Sequence, residues 1–342
     1  MLQWTIQPAK FELRYTWKLS RNAADVKTNL LVHVTDELVH GWGEAAPNVR
    51  YDETPEKLIR AFSGISKQQL SSCNVPGELT SVLDANDIPY ALRFAIESAF
   101  FHFLAQREDK SVSELLGVPS PVPVATSYTI PVMDPGELAP FCALEKLSRF
   151  SLLKLKIDSA SGIDSVIEFS RFTDSKIMVD ANEAFLDVED CIRFMEKIRK
   201  CPVILLEQPM PAAAKEESIY LKKYCPFPLF VDESITHDTD FSYLKKIADG
   251  VNVKLMKAGG YLEGIRLLRE AKANKLKTMI GCMVESTLGI YGGVLLSALA
   301  DYADLDSFLI LQDEPFRMIR EENGILQIDK HFPEMKDVPA PS

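Results

Sequence analysis

No two of the six cysteines form a CxxC pair. Cys73, Cys142, Cys191, Cys201, Cys225 and Cys282 are scattered, which speaks against a zinc site or disulfide framework and predicts reduced thiols in a cytoplasmic protein. No stretch is long and apolar enough to span a bilayer, and residues 1–10 lack the basic-then-apolar pattern of a signal peptide, so no membrane partner is expected. Positive charge is short too. Against 49 Asp and Glu stand 38 Lys and Arg, a net charge of −11, and nucleic acid, which needs a basic surface, is not an expected partner. No GxGxxG follows an early strand, which weakens a dinucleotide-binding reading.

The 342 residues, 46% hydrophobic and 25% charged, suit one large globular unit and a smaller one. The first part reads as strands and turns, with 30–34 β-rich and 39–44 holding Gly41 and Gly43 around Trp42. A helix is predicted over 89–107, with Asp87 as N-cap and Pro89 in the first turn, where its missing N–H costs little. Leu92, Phe94, Ala95, Ile96, Ala99, Phe100, Phe103 and Leu104 nearly encircle it, which predicts burial between two layers. Residues 1–118 read as an α+β unit. From Val122 on, short apolar runs alternate with amphipathic stretches. The runs are 124–130, 152–157, 177–179, 203–206, 229–231, 251–253, 278–280 and 308–311. This alternation predicts a parallel sheet, either closed into a (β/α) barrel or open and doubly wound.

In a barrel, catalytic side chains stand at the C-terminal ends of the strands. The second run ends in Lys154-Leu155-Lys156, the third in Asp180-Ala181-Asn182 and the fourth in Glu207-Gln208-Pro209. The fifth ends in Asp232-Glu233-Ser234 and the sixth in Lys254. From Lys156 on, successive members are 22 to 27 residues apart, about one βα unit. Singly, each has a bland reading: Lys-x-Lys is commonly a solvated strand end, and Asp180 or Asp232 could cap a helix. Five in the order base, acid, acid, acid, base read as a site. Three converging carboxylates repel and need a cation, and oxygen donors without His or Cys favour Mg²⁺ first and Mn²⁺ second. Lys154 and Lys156 share one strand face. Their mutual repulsion and a nearby metal are expected to depress an amine into a general base. Lys254 arrives from across the barrel and is preferred to Lys257, which lies beyond its strand beside Gly259-Gly260. Bases on opposite faces of one carbon permit a proton to leave one side and return on the other, through an enediolate.

These residues resemble the enolase superfamily, specifically its muconate-lactonizing-enzyme-like subgroup. The matching pieces are Lys154-x-Lys156, Asp180-Ala-Asn182, Glu207-Gln-Pro209, Asp232-Glu-Ser234 and Asn252-Val-Lys254 leading to Gly259-Gly260. Gly41-Trp-Gly-Glu44-Ala-Ala-Pro47 looks like the family's capping-domain motif, and 91–104 with Leu115-Leu116-Gly117 like its first long helices. The resemblance covers nearly the whole chain. It implies an α/β fold: a modified (β/α)₇β TIM-like barrel over 119–313 and an α+β capping domain over 1–118, to which the tail 314–342 returns. It also implies that Asp180, Glu207 and Asp232 bind Mg²⁺, that Lys156 and Lys254 are the acid/base pair, that Lys154 supports the substrate carboxylate and that Asn182 steadies the metal shell.

Asp304-Leu305-Asp306 looks like the Asp-x-Asp motif by which dipeptide epimerases hold the substrate's α-ammonium group, and two carboxylates on one strand face suit an ammonium. The plain alternative is an acidic loop of Asp301, Asp304 and Asp306. Thr129 matches a substrate-contacting position, and Cys282 and Met283 fall where the family lines its pocket. The loop 17–29 sets side-chain specificity in the family. Arg21 there offers a partner for a glutamate side chain, beside which Glu285 is an odd neighbour unless it points away. The implied function is a Mg²⁺-dependent dipeptide epimerase inverting the α-carbon of the C-terminal residue, with Ala-Glu as first substrate. An o-succinylbenzoate synthase, an N-acylamino acid racemase and a muconate cycloisomerase are the alternatives on the same scaffold, and Asp304 and Asp306 argue against the synthase and the cycloisomerase; a non-catalytic binding protein would not need lysines on both sides of the metal. A dipeptide is thus the expected small-molecule partner, and homo-oligomerisation is left open.

Overall fold

The computed structural model describes residues 1–18, 23–333 and 338. Strands β1 (Gln3–Lys18), β2 (Ala23–Thr35) and β3 (His40–Ala45) form an antiparallel sheet in that order. The helix Tyr90–Glu108, apolar nearly all round, lies against β3. A Cβ on Gly41 would stand 2.0 Å from Ala99 O, and one on Gly43 2.0 Å from Ala95 O. Only glycine allows the backbones to approach so closely, which is the reason for Gly-Trp-Gly. The helix starts at Tyr90 with Pro89 as N-cap and no side-chain cap, so Asp87 does not cap it. Proline pushes the preceding Ile88 out of the helical region, and the first turn begins after it.

Then come β4 (Val124–Ala125), β5 (Ser127–Ile130), β6 (Leu152–Lys156), β7 (Lys176–Asp180), β8 (Val203–Glu207), β9 (Leu229–Val231), β10 (Gly250–Lys254), β11 (Lys277–Gly281) and β12 (Tyr302–Asp304). Strands β5 to β12 are parallel neighbours in chain order. Thr126 bridges to Ala303, and Leu305 N donates to Thr126 Oγ1 at 2.9 Å, closing the ring. The sheet is therefore a barrel and not an open doubly wound sheet.

The last expected run, 308–311, is not a strand. Ser307–Ile310 is a 3₁₀ turn, and the closing strand is β12. Only Tyr302–Asp304 finds partners in both β11 and the segment before β5. The run 124–130 also splits, because β4 pairs instead with β14 (Ile325–Ile328), which forms a hairpin with β13 (Ile319–Glu322). Beyond it Phe332 packs edge-on against His102 of the long helix, centroids 6.1 Å apart. No helix among the described residues is long and apolar enough to cross a membrane.

The small sheet sits over the C-terminal ends of the barrel strands. Gln312 N donates to Glu12 O at 2.8 Å and Val132 N to Lys18 O at 3.1 Å. The buried Glu44 carboxylate accepts from Asn29 Nδ2 at 2.6 Å and from Ser286 N and Gly289 N at the start of the helix Thr287–Leu296. Helix-terminal N–H groups without intrahelical partners favour an anion there, so this acid docks β3 onto the barrel. The docking holds the β1–β2 hairpin and residues 47–51 above the strand ends.

Candidate active site

A cavity of about 330 Å³ lies between the sheet and the barrel. From above it is lined by Trp17, Ala24, Lys27, Val49, Arg50 and Tyr51, among others. The floor and walls include Thr129, Lys154, Lys156, Asp232, Lys254, Cys282, Met283, Asp304 and Asp306. Asp180 and Glu207 sit fully buried just below and meet the cavity through Lys154. The fold therefore brings together every expected site residue except Arg21, which lies outside the described residues.

Asp180, Glu207 and Asp232 stand at or just past the ends of three adjacent strands, β7, β8 and β9, with the lysines of β6 on one flank and Lys254 of β10 on the other. Each carboxylate uses its two oxygens differently. The outer ones are anchored: Asp180 Oδ1 accepts from Asn182 N at 3.0 Å, Glu207 Oε1 from Asn252 Nδ2 at 2.8 Å, and Asp232 Oδ1 from Lys257. The inner ones face the flanking amines. Lys154 Nζ is 3.1 Å from Asp180 Oδ2 and 2.9 Å from Glu207 Oε2; Lys156 Nζ is 2.8 Å from Asp180 Oδ2, and Lys254 Nζ 2.8 Å from Asp232 Oδ2. Asn182 Oδ1 also accepts from Lys156, at 2.7 Å. Asn182, Glu183 and Gln208 take left-handed backbone, φ 42°, 65° and 38°, conformations that persist only where surroundings enforce them. Gln208 shows how: its Oε1 accepts from Asp232 N and Ser234 N, tying β8 to the turn after β9.

Charge does not balance here. Six buried acidic side chains (Asp180, Glu207, Asp232, Glu233, Asp304, Asp306) face four buried lysines (Lys154, Lys156, Lys254, Lys257), two more acids than bases. The excess is visible in the acids. Burial, only partly countered by Lys154, pushes Glu207 up to about 7, and burial with the Asp304 charge pushes Asp306 up to about 7. Among the described residues no three Asp, Glu, His or Cys side chains stand ready as a metal cluster; Lys154 pairs with the inner oxygens of Asp180 and Glu207, and Lys254 with that of Asp232. The donor chemistry still fits one divalent cation: it is all oxygen, anchored from outside, and richer in acids than in bases.

The expected depression of the lysines is not found at Lys154 or Lys254. Burial alone would lower both, but Asp180, Asp304 and Glu207 hold Lys154 well above the ordinary range, and Asp232 does the same for Lys254. Carboxylates within 3.1 Å outweigh the mutual repulsion of the amines. Glu285 turns away from the cavity. Its carboxylate accepts from Met283 N at 2.7 Å and lies beside Glu44 behind Gly289, and burial with that neighbour pushes it up to about 8.

Asp304 accepts from Ser127 Oγ at 2.6 Å and from Lys154 at 2.8 Å; Asp306 accepts from Thr129 N at 2.5 Å. Ser127 carries no signal of its own in the sequence, Asn252 stands there only as part of a motif, and Lys257 is the lesser of two candidate lysines. Ser127 and Asn252 were legible in principle, since each lies two residues before a predicted site residue, Thr129 or Lys254, and shares its strand face. Lys257 and the roof residues Val49 and Tyr51 had no such periodic signal.

The Enolase C-terminal domain-like family matches residues 143–316. An L-Ala-D/L-amino acid epimerase of Pedosphaera parvula is 30% identical over 327 residues, covering 93% of this chain and 94% of that protein. The chain belongs to the enolase superfamily. Within it, the chain stands with the dipeptide-epimerase-like members of the muconate-lactonizing subgroup and is an isomerase of the epimerase and racemase kind. A hydrophobic dipeptide epimerase of Roseobacter litoralis is 32% identical over 326 residues, covering 91% and 92%. The crystal structure of an enolase family member from Agrobacterium tumefaciens with homology to dipeptide epimerases, with bound sodium and L-Ala-L-Glu, superposes with a TM-score of 0.89 at 25% identity, covering 97% and 99%.

Proposed function

We propose that this superfamily member is a Mg²⁺-dependent dipeptide epimerase that inverts the α-carbon of the C-terminal residue, with L-Ala-L-Glu the first substrate to test. The observation that carries the reading is the row of three inward carboxylate oxygens with Lys156 on one flank and Lys254 on the other. Asp180, Glu207 and Asp232 would hold the ion. A bound Mg²⁺ supplies positive charge that competes with the lysines for the inner oxygens, easing the amines toward working bases, and offsets the charge growing on the substrate carboxylate. Lys154 supports that carboxylate as the α-proton leaves. One flanking lysine takes the proton from one face and the other returns one to the opposite face, through an enediolate. The same reading divides the chain into a cap, residues 1–118 with 314–342, and a catalytic barrel, residues 119–313.

Asp306 supports the dipeptide part. It lines the cavity, and among the described residues no Lys, Arg or His pairs with it. An uncompensated buried acid suits the substrate's α-ammonium, with Asp304 beside it. Above, Lys27 donates to Pro47 O at 2.5 Å and lines the roof with the apolar Trp17, Val49 and Tyr51, so acidic and apolar side chains both belong in the test.

The direct test is a library of L,L and L,D dipeptides incubated with Mg²⁺ in D₂O and followed by mass spectrometry. Deuterium should enter the α-position of the C-terminal residue. Exchange confined to N-acylated amino acids overturns the dipeptide reading. Asp306→Asn should raise the dipeptide KM about 10-fold or more, the scale of a charge-assisted hydrogen bond. Because the ammonium needs ionised Asp306, which is raised to about 7, the wild-type KM should climb as pH falls below 7 and the variant's should not follow it. An unchanged KM removes the ammonium role.

A further inference from the structure

Of the three outer anchors, one is unlike the others. Asp180 is held by a backbone N–H and Glu207 by an amide, but Asp232 is held by a buried ammonium, Lys257. Lys254 and Lys257 thus grip the two oxygens of one carboxylate, Lys254 from the cavity side on Oδ2 and Lys257 from behind on Oδ1. Lys257 sits on the short helix Leu255–Ala258 directly after β10 and does not line the cavity. It therefore cannot touch a substrate there. It also donates to Asp232 O and lies 3.5 Å from Ile235 O and from Asn252 O, which ties the turn after β9 to the end of β10. The chain has a reason to use charge at this anchor. Asp232 is followed by Glu233, also buried, and two adjacent buried carboxylates need more than a neutral donor.

We propose that Lys257 is a positioning residue for the reaction: it fixes Asp232 by its outer oxygen, so that the inner oxygen stays aimed at the cation site and at Lys254. This rests on the metal reading above. A neutral side chain at 257 lets Asp232 turn toward its remaining partner, Lys254, and disturbs two things together. The cation loses one well-aimed donor, and the base on the β10 flank is drawn out of place. Lys156, held on the far flank by Asp180 and Asn182, is untouched.

The experiment uses the full chain with MnCl₂ as metal probe, titrated by electron paramagnetic resonance, and α-proton exchange of both diastereomers of one accepted dipeptide at saturating Mg²⁺. Lys257→Met and Lys257→Gln should bind Mn²⁺ about 10- to 100-fold more weakly, the range of outer partners of metal ligands. Exchange should become lopsided, with the diastereomer whose proton faces Lys254 slowed at least about 10-fold more than the other. Lys257→Arg, which keeps the charge, should recover most of the Mn²⁺ affinity. A merely structural lysine would slow both diastereomers alike. Neutral variants that bind Mn²⁺ as tightly as wild type overturn the positioning role alone, whereas a wild-type protein that binds no Mn²⁺ overturns the metal reading beneath it. If both neutral variants lose the fold by circular dichroism, Lys257 is a stability residue and the proposal falls.

Discussion

Lys254→Ala should lower epimerisation by roughly 10³-fold or more, the upper range for a positioned proton-transfer group, and leave half of the chemistry standing. The two lysines reach the carboxylate row from opposite flanks, β6 and β10. Removing one leaves an amine that can still take the α-proton from its own face and return solvent deuterium to that same face. One diastereomer should therefore exchange its α-proton in D₂O without inverting, and the other should do neither. Lys156→Ala should give the mirror-image result. Both variants leave a buried acid with one partner fewer, so folding is checked first by thermal melting. A folded variant of either lysine that epimerises at the wild-type rate would show that the proton does not cross between these two amines.

Removal of divalent metal should abolish activity, and Mg²⁺ should return it while raising the melting temperature. The second effect follows from the charge count. With six buried acidic side chains against four lysines, the site holds two more acids than bases, a surplus that a bound cation offsets in the folded chain and that the unfolded chain leaves to water. Binding to the folded state alone adds about 2.7 kcal/mol when Mg²⁺ is at 100 times its Kd, a rise of several degrees. Glu207→Gln replaces the central carboxylate of the row with a neutral amide. It should lose turnover by two orders of magnitude or more and blunt the Mg²⁺-dependent rise in melting temperature. Activity that survives chelation, or a melting temperature indifferent to Mg²⁺, sinks the metal assignment.

Much of the candidate site is legible in the sequence. Lys154, Lys156, Asp180, Glu207, Asp232 and Lys254 follow from a repeat of one strand and one helix, which brings every unit's strand end to the same side of the barrel. The eighth strand is not legible because its signal is weak. Phe308 to Leu311 is apolar and looks like a strand, whereas Tyr302–Asp304 looks like an acidic turn and becomes a strand only because Gly281 and Thr126 offer it neighbours. The direction of the Lys154 and Lys254 shifts differs from the expectation for a related reason. Spacing places Lys154 beside Lys156, but it does not say that Asp304, 150 residues away, approaches Lys154 to 2.8 Å.

What the sequence by itself determined is the kind of chemistry: which residue types end which strands, and in what order, because side-chain alternation and unit length are local properties of the chain. The tertiary structure alone decided which oxygen of each carboxylate turns inward, that Lys257 backs Asp232, that Glu285 faces Glu44 and not the cavity, and what roofs the site. Those outcomes depend on contacts between residues far apart in the chain, such as Asn252 with Glu207 and Glu44 with Ser286. No local pattern encodes such contacts, and they arise only once the ring has closed and the small sheet has docked upon it.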